Sequence, residues 1–74
     1  MGNDQLARRI RAFRKLKGFT QTELAESVGV SIAIIGAVER GARKADDLLI
    51  RRISEVLGVE QQELRPSVQP TEEL

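Results

Sequence analysis

The 74-residue chain contains no Cys and no His. Those two absences exclude disulfide staples, thiol chemistry, Cys/His zinc sites and a histidine general base. Trp and Tyr are also missing and only two Phe are present, which disfavours base stacking on single-stranded nucleic acid. No hydrophobic run approaches the length of a membrane span. The longest apolar and small-residue stretch, Val28 to Val38, is broken by Ser31 and by glycines and alanines. The first residues, Met1-Gly2-Asn3-Asp4, lack the basic-then-apolar order of an export signal, so a cytoplasmic location without membrane contact is expected.

What is present fits one small soluble domain: 41% hydrophobic and 31% charged residues, with a net charge of +1. That charge is unevenly spread. Residues 1–58 carry eleven Lys/Arg against seven Asp/Glu, whereas residues 59–74 carry Arg65 against four glutamates. A basic body suits a polyanionic partner. Residues 1–65 are read as the domain and residues 66–74 as a mobile acidic tail.

Apolar spacing is helical throughout, with no alternating strand pattern. Asp4 is a plausible cap for a first helix presenting Leu6, Ile10, Phe13 and Leu16 at three- and four-residue intervals, closed near Gly18. Thr20-Gln21-Thr22-Glu23 is a capping box opening a second helix, with Phe19 and Leu24 spaced as a hydrophobic staple. Leu24, Ala25 and Val28 form its buried face before Gly29. Ser31 caps a third helix, Ile32 to about Arg40, with Ile35 and Val38 inward and Gly41 as its stop. Asp46 caps a fourth, with Leu49, Ile50, Ile53 and Leu57 as its stripe and Gly58 as its end. A last short helix spans about Gln61 to Leu64, with Val59 and Leu64 as its staple and Pro66 after it. The fold class is therefore all-α: a compact bundle of five short helices. A core of about fifteen aliphatic residues is thin, so dimerisation is a natural supplement, with Val59, Leu64 and Val68 as candidate contacts.

The second and third helices carry the most specific signal. Ala25 supplies the small residue where they cross, and Gly29, four residues on, supplies a turn glycine able to take positive φ. Ile35 and Val38 lie six and nine residues beyond that glycine and lock the third helix inward. Together these make a helix-turn-helix.

The segments RRIRAFRKLKGFTQTELAESVGVS, IIGAVERG, ISEVLGV and EQQEL resemble a Cro/λ-repressor-type (Xre family) helix-turn-helix domain, over Gln5 to Leu64. The resemblance implies a λ-repressor-like arrangement with the third helix in the DNA major groove, and transcriptional regulators that bind inverted repeats as homodimers. It places Gln21, beside Thr22 at the start of the second helix, on a phosphate, and Ser31 at the cap of the recognition helix. Ile32, Ala33, Gly36 and Ala37 take the groove-facing positions. Glu39 pairs with a basic residue of the first helix, Arg11 or Arg14, while Arg40 completes the E-R-G ending. Arg43 and Lys44 fall in a loop that meets backbone phosphates.

Relatives tend to use hydrogen-bonding side chains at the groove-facing positions, whereas this chain has Ile32, Ala33, Ile34, Gly36 and Ala37. The direct reading open to those side chains is apolar contact with thymine methyls. Asp47 is a second departure, standing where an aliphatic is usual. The basic residues Arg8, Arg9, Arg11, Arg14, Lys15 and Lys17 are read, for at least half of them, as a solvated face that also holds Glu39. No cofactor, metal, small-molecule ligand or catalytic group is expected. The competing reading is a helix-turn-helix scaffold for protein association, an antitoxin-like partner included, anchored by Ile32 and Ile34.

Overall fold

The computed structural model describes residues 2–65; Pro66 and the tail at 66–74, with Val68, lie outside the described residues. Five helices follow one another: α1 (Gly2–Leu16), α2 (Gln21–Val28), α3 (Ile32–Glu39), α4 (Asp47–Leu57) and α5 (Gln61–Leu64). No strand occurs among the described residues.

The helix boundaries follow from local chemistry. At α2, Thr20 Oγ1 accepts from the Glu23 N–H at 3.0 Å, and the Glu23 carboxylate accepts from the Thr20 N–H at 2.9 Å. Ser31 and Asp46 each accept from the backbone N–H three residues on, opening α3 and α4. Gly29, at φ +91°, ends α2 in the left-handed conformation that a side chain would disfavour. The Gly29 and Val30 N–H groups both bond back to the Ala25 carbonyl, making the tight reversal into α3. The axes of α2 and α3 differ by 115°, within the range of helix-turn-helix pairs.

Ile10, Leu24, Ile35, Ile53 and Leu64 are completely enclosed, one from each helix. Each such side chain stabilises the fold by roughly 1.5–3 kcal/mol relative to exposure. α1 packs across α3, α4 and α5, while α2 is held between α3 and α4. The staples form as spaced, since Phe19 and Val59 pack partly buried against the cluster that holds Leu24 and Leu64.

Three expectations require correction. α1 begins at Gly2, so Asp4 is not its cap but lies in its first turn, where a carboxylate suits the positive end of the helix dipole. Leu16 is 75% exposed. At about 100° per residue it lies roughly 120° around the helix from Ile10, off the buried stripe, and Ala7 is enclosed in the core instead. Leu64 is fully buried against its own domain and offers no surface to a second copy.

Candidate nucleic-acid interface

A polar strut sets the direction of α3. Arg14 Nε and Nη2 donate to the two Glu39 carboxylate oxygens at 2.6 and 3.1 Å, and Arg14 Nη1 donates to the Phe19 carbonyl at 2.8 Å. Both side chains are enclosed, Arg14 at 9% and Glu39 at 2% exposure. Of the two partners the sequence allowed for Glu39, Arg14 is the one used, and Arg11 stays exposed. The bidentate fork joins the end of α1, the approach to α2 and the last turn of α3.

Gln21 joins the same network. Its Nε2 donates to Glu39 Oε1 at 3.0 Å. A carboxylate can only accept, so this contact fixes which way the carboxamide faces. The capping box occupies the Thr20 and Glu23 N–H groups, leaving the Gln21 and Thr22 N–H groups at the start of α2 outside the helical ladder. Thr22 is exposed and Gln21 half-buried.

The outer side of α3 is apolar and sparse. Ile32 is 48% exposed, Ala33 is exposed and Ala37 half-buried. Ile34 leans partly into the core, so of the two isoleucines considered for an exposed anchor it is Ile32 that faces outward. Gly36 is buried, although the sequence placed it facing the groove. The Arg40 side chain folds back over it, with Nη1 3.2 Å from where a Cβ would stand. Ser31 is exposed at one end of α3 and Arg40 at the other.

The loop after α3 is tied to that helix. The Ala42 and Arg43 N–H groups both bond to the Ala37 carbonyl, at 2.9 and 3.3 Å. Ala45 is buried and anchors the far end of the loop, while Arg43 and Lys44 are exposed. The structure thus brings Gln21, Thr22, Ser31, Ile32, Ala33, Ala37, Arg40, Arg43 and Lys44 onto the α2–α3–loop portion of the domain, with Gly36 beneath Arg40.

Three arginines have structural partners that the sequence did not disclose. Arg9 Nη1 donates to the Glu63 carbonyl at 3.0 Å, tying α1 to α5. Arg52 Nη1 donates to the Val28 carbonyl at 3.3 Å, closing the end of α2. Arg65 Nη2 donates to Asp47 Oδ1 at 2.8 Å, which gives Asp47 a role where an aliphatic was expected. The Arg65 hydrogen bond and charge, with Lys44 adding to them, hold the Asp47 carboxyl below its usual value of 3.8. Backbone carbonyls as acceptors leave no mark in a sequence, so Arg9 and Arg52 carried no signal.

Among the described residues, no group of carboxylates is placed to hold a metal ion, and no single helix is long and apolar enough to cross a membrane. A helix-turn-helix family model, HTH_3, matches residues 10–64. The chain belongs to the Xre/Cro-type helix-turn-helix family. As an Xre-type protein it is a transcriptional regulator built on the helix-turn-helix DNA-binding fold. It is similar to the uncharacterized HTH-type transcriptional regulator YazB of Bacillus subtilis (strain 168), 48% identical over 59 residues that make up 80% of this chain and 86% of that protein. Among solved structures it resembles the restriction-modification controller protein C.AhdI from Aeromonas hydrophila. That match has a TM-score of 0.81 and 32% identity, covering 84% of this chain and 94% of the other. It also resembles SinR, a master regulator for biofilm formation solved in complex with DNA, at a TM-score of 0.76 and 32% identity over 80% of this chain and 95% of that one.

Proposed function

We propose that this Xre-type chain is a sequence-specific, double-stranded-DNA-binding regulator that occupies an inverted-repeat operator as a homodimer, with α3 in the major groove. The observation that carries the reading is the strut from Arg14 through Glu39 to Gln21, which holds the outward face of α3 beside the open N–H groups of α2. Gln21, Thr22 and the exposed cations Arg40, Arg43 and Lys44 then address phosphates on either side of a helix whose own surface is apolar. SinR, solved on DNA, supports the same use of the fold. Ile32 and Ala33 read thymine methyls, which makes T-rich half-sites the expected target. Two-fold symmetry sets the half-sites about one helical turn apart. With Leu64 enclosed, Leu48 on α4, 54% exposed and next to the Asp47–Arg65 pair, is the apolar side chain best placed to meet a second copy. The function is occupancy of DNA in the cytoplasm, without catalysis.

The test is selection from a random duplex pool by the purified protein, with enriched sites titrated at two salt concentrations. Enrichment of an inverted repeat bound far more tightly than random DNA is the expected result. Weak, steeply salt-dependent binding without enrichment overturns sequence-specific reading.

One observation favours a second reading, protein association: the exposed Ile32 on an otherwise small-residue face. Ile32→Asp abolishes either activity, whereas Arg43→Ala harms only DNA binding, and the pair of variants separates the two.

A further inference from the structure

Gly36 stands in the interior of α3, where glycine is less favourable than alanine because it has more backbone freedom to lose. Its φ is not positive, so the backbone does not require glycine. Nor does the core, because no core side chain lies within 4 Å of the place a Cβ would take. The atoms found there are Arg40 Nη1 at 3.2 Å and Gln21 Oε1 at 3.8 Å.

The arrangement follows from helix geometry. Arg40 lies four residues after Gly36, and side chains on a helix tilt back over the preceding turn. With no side chain at position 36, the guanidinium lies down on α3 instead of extending from it. Arg40 forms no ion pair with any described residue. Gln21 is oriented by Glu39, which takes its Nε2, while its Oε1 lies 3.8 Å from the same Cβ position at Gly36. The end of α3 and the start of α2 therefore meet over one glycine.

We propose that Gly36 is a positioning residue for DNA binding. The notch it leaves seats the Arg40 guanidinium beside the Gln21 carboxamide, so that both address one backbone phosphate. This rests on the DNA-binding reading above. A guanidinium already lying in place gives up less freedom on binding than one extended into water. A Cβ at position 36 would stand 3.2 Å from Nη1, so the guanidinium must shift by a few tenths of an ångström from its seat, and further for a larger side chain. Because the displaced atom is the far end of a flexible side chain, the fold accommodates the change, and stability and binding move in opposite directions.

The experiment titrates a fluorescein-labelled duplex of mixed sequence with the full chain and with Gly36→Ala, Gly36→Val, Arg40→Ala and Gly36→Ala/Arg40→Ala, at several salt concentrations. Gly36→Ala is expected to melt higher than the parent yet bind at least threefold more weakly, and Gly36→Val about tenfold, a loss typical of one charge-assisted hydrogen bond. Both keep the parent's salt slope because the charge remains. Arg40→Ala lowers that slope by about one, and in its background Gly36→Ala has no further effect. In the free protein, nuclear Overhauser contacts are expected between the Arg40 side chain and Gly36 Hα. Equal loss from Gly36→Ala with and without Arg40 overturns the proposal, since the Cβ then obstructs the groove directly. Parent-like binding by both Gly36 variants overturns it as well, as does absence of the Overhauser contacts. If Arg40→Ala is silent while Arg43→Ala/Lys44→Ala weakens binding, the proposal falls and the DNA-binding reading stands. If the parent binds no duplex, both fall.

Discussion

Replacing Glu39 with alanine should cost this domain most of its stability. The carboxylate is 2% exposed and accepts three hydrogen bonds, two from Arg14 and one from Gln21. Its removal leaves the Arg14 guanidinium enclosed with the Phe19 carbonyl as its remaining acceptor. Breaking a buried pair from one side costs about 3–5 kcal/mol, because the other charge stays behind unpaired. A chain of this size has roughly 3–5 kcal/mol in total. At about 4–8 °C per kcal/mol, the melting temperature should fall by roughly 12–40 °C. Lacking Trp and Tyr, the protein is best followed by far-UV circular dichroism during urea and thermal unfolding. The double variant Arg14→Met/Glu39→Leu supplies the control, since well-packed apolar side chains can replace a buried ion pair with little loss. It should recover most of the stability that Glu39→Ala loses. A loss below about 1 kcal/mol for Glu39→Ala would refute the reasoning, and so would a double variant no more stable than the single one.

Gly29→Ala should destabilise by about 1–2 kcal/mol through the left-handed backbone at φ +91°. The space itself is open, with Arg52 Nη1 at 3.6 Å the nearest atom to a new Cβ, so an unchanged urea midpoint would contradict the backbone argument. Asp47→Asn should lower the melting temperature near neutral pH and lose that effect in acid. Arg65 holds the Asp47 carboxyl below 3.8 in the folded protein, so its contribution is present above that value and disappears as the pH falls through the depressed folded one. An equal difference between variant and parent at about pH 6 and about pH 2.5 would exclude this. Removing the charges of Arg43 and Lys44 together should weaken binding to every duplex and flatten the salt slope by up to about 1.8, with melting little changed because both side chains are exposed and Lys44 is only the smallest contributor at Asp47. An unchanged slope would take that loop off the DNA.

Whatever depended on neighbours in the chain was legible before the structure. Thr20, Ser31 and Asp46 cap the helices their spacing predicts, and Gly18, Gly29, Gly41 and Gly58 all take positive φ. Contacts between distant segments were less accessible. The E-R-G ending pointed to a basic partner for Glu39, but choosing Arg14 over Arg11 needed the angle at which α1 crosses α3. Leu16 matched the apolar spacing yet fell past the stripe, and Leu64 read as a dimer contact because α5 packs on α1, at the other end of the sequence, as well as on the adjacent α4. Within the site, Gly36 read as a groove-facing residue because a sequence does not show a side chain four residues later folding back over it.

The side chains that hold α3 and those that look outward from it are different residues. Ile35, Val38 and Glu39 are enclosed, whereas Ile32 and Ala33 are exposed and Ala37 half so. Rewriting positions 32, 33 and 37 therefore changes the text the helix can read without disturbing its mounting. On the proposed DNA-binding reading, Arg, Gln or Asn introduced there would offer hydrogen bonds to base edges in place of methyl contacts, at least risk to folding at the exposed positions 32 and 33. If α3 reads DNA as proposed, the domain is in this sense a blank reading head: its fixings are complete, its lettering is minimal, and new target preferences are reachable by substitutions at two exposed positions and one half-buried one.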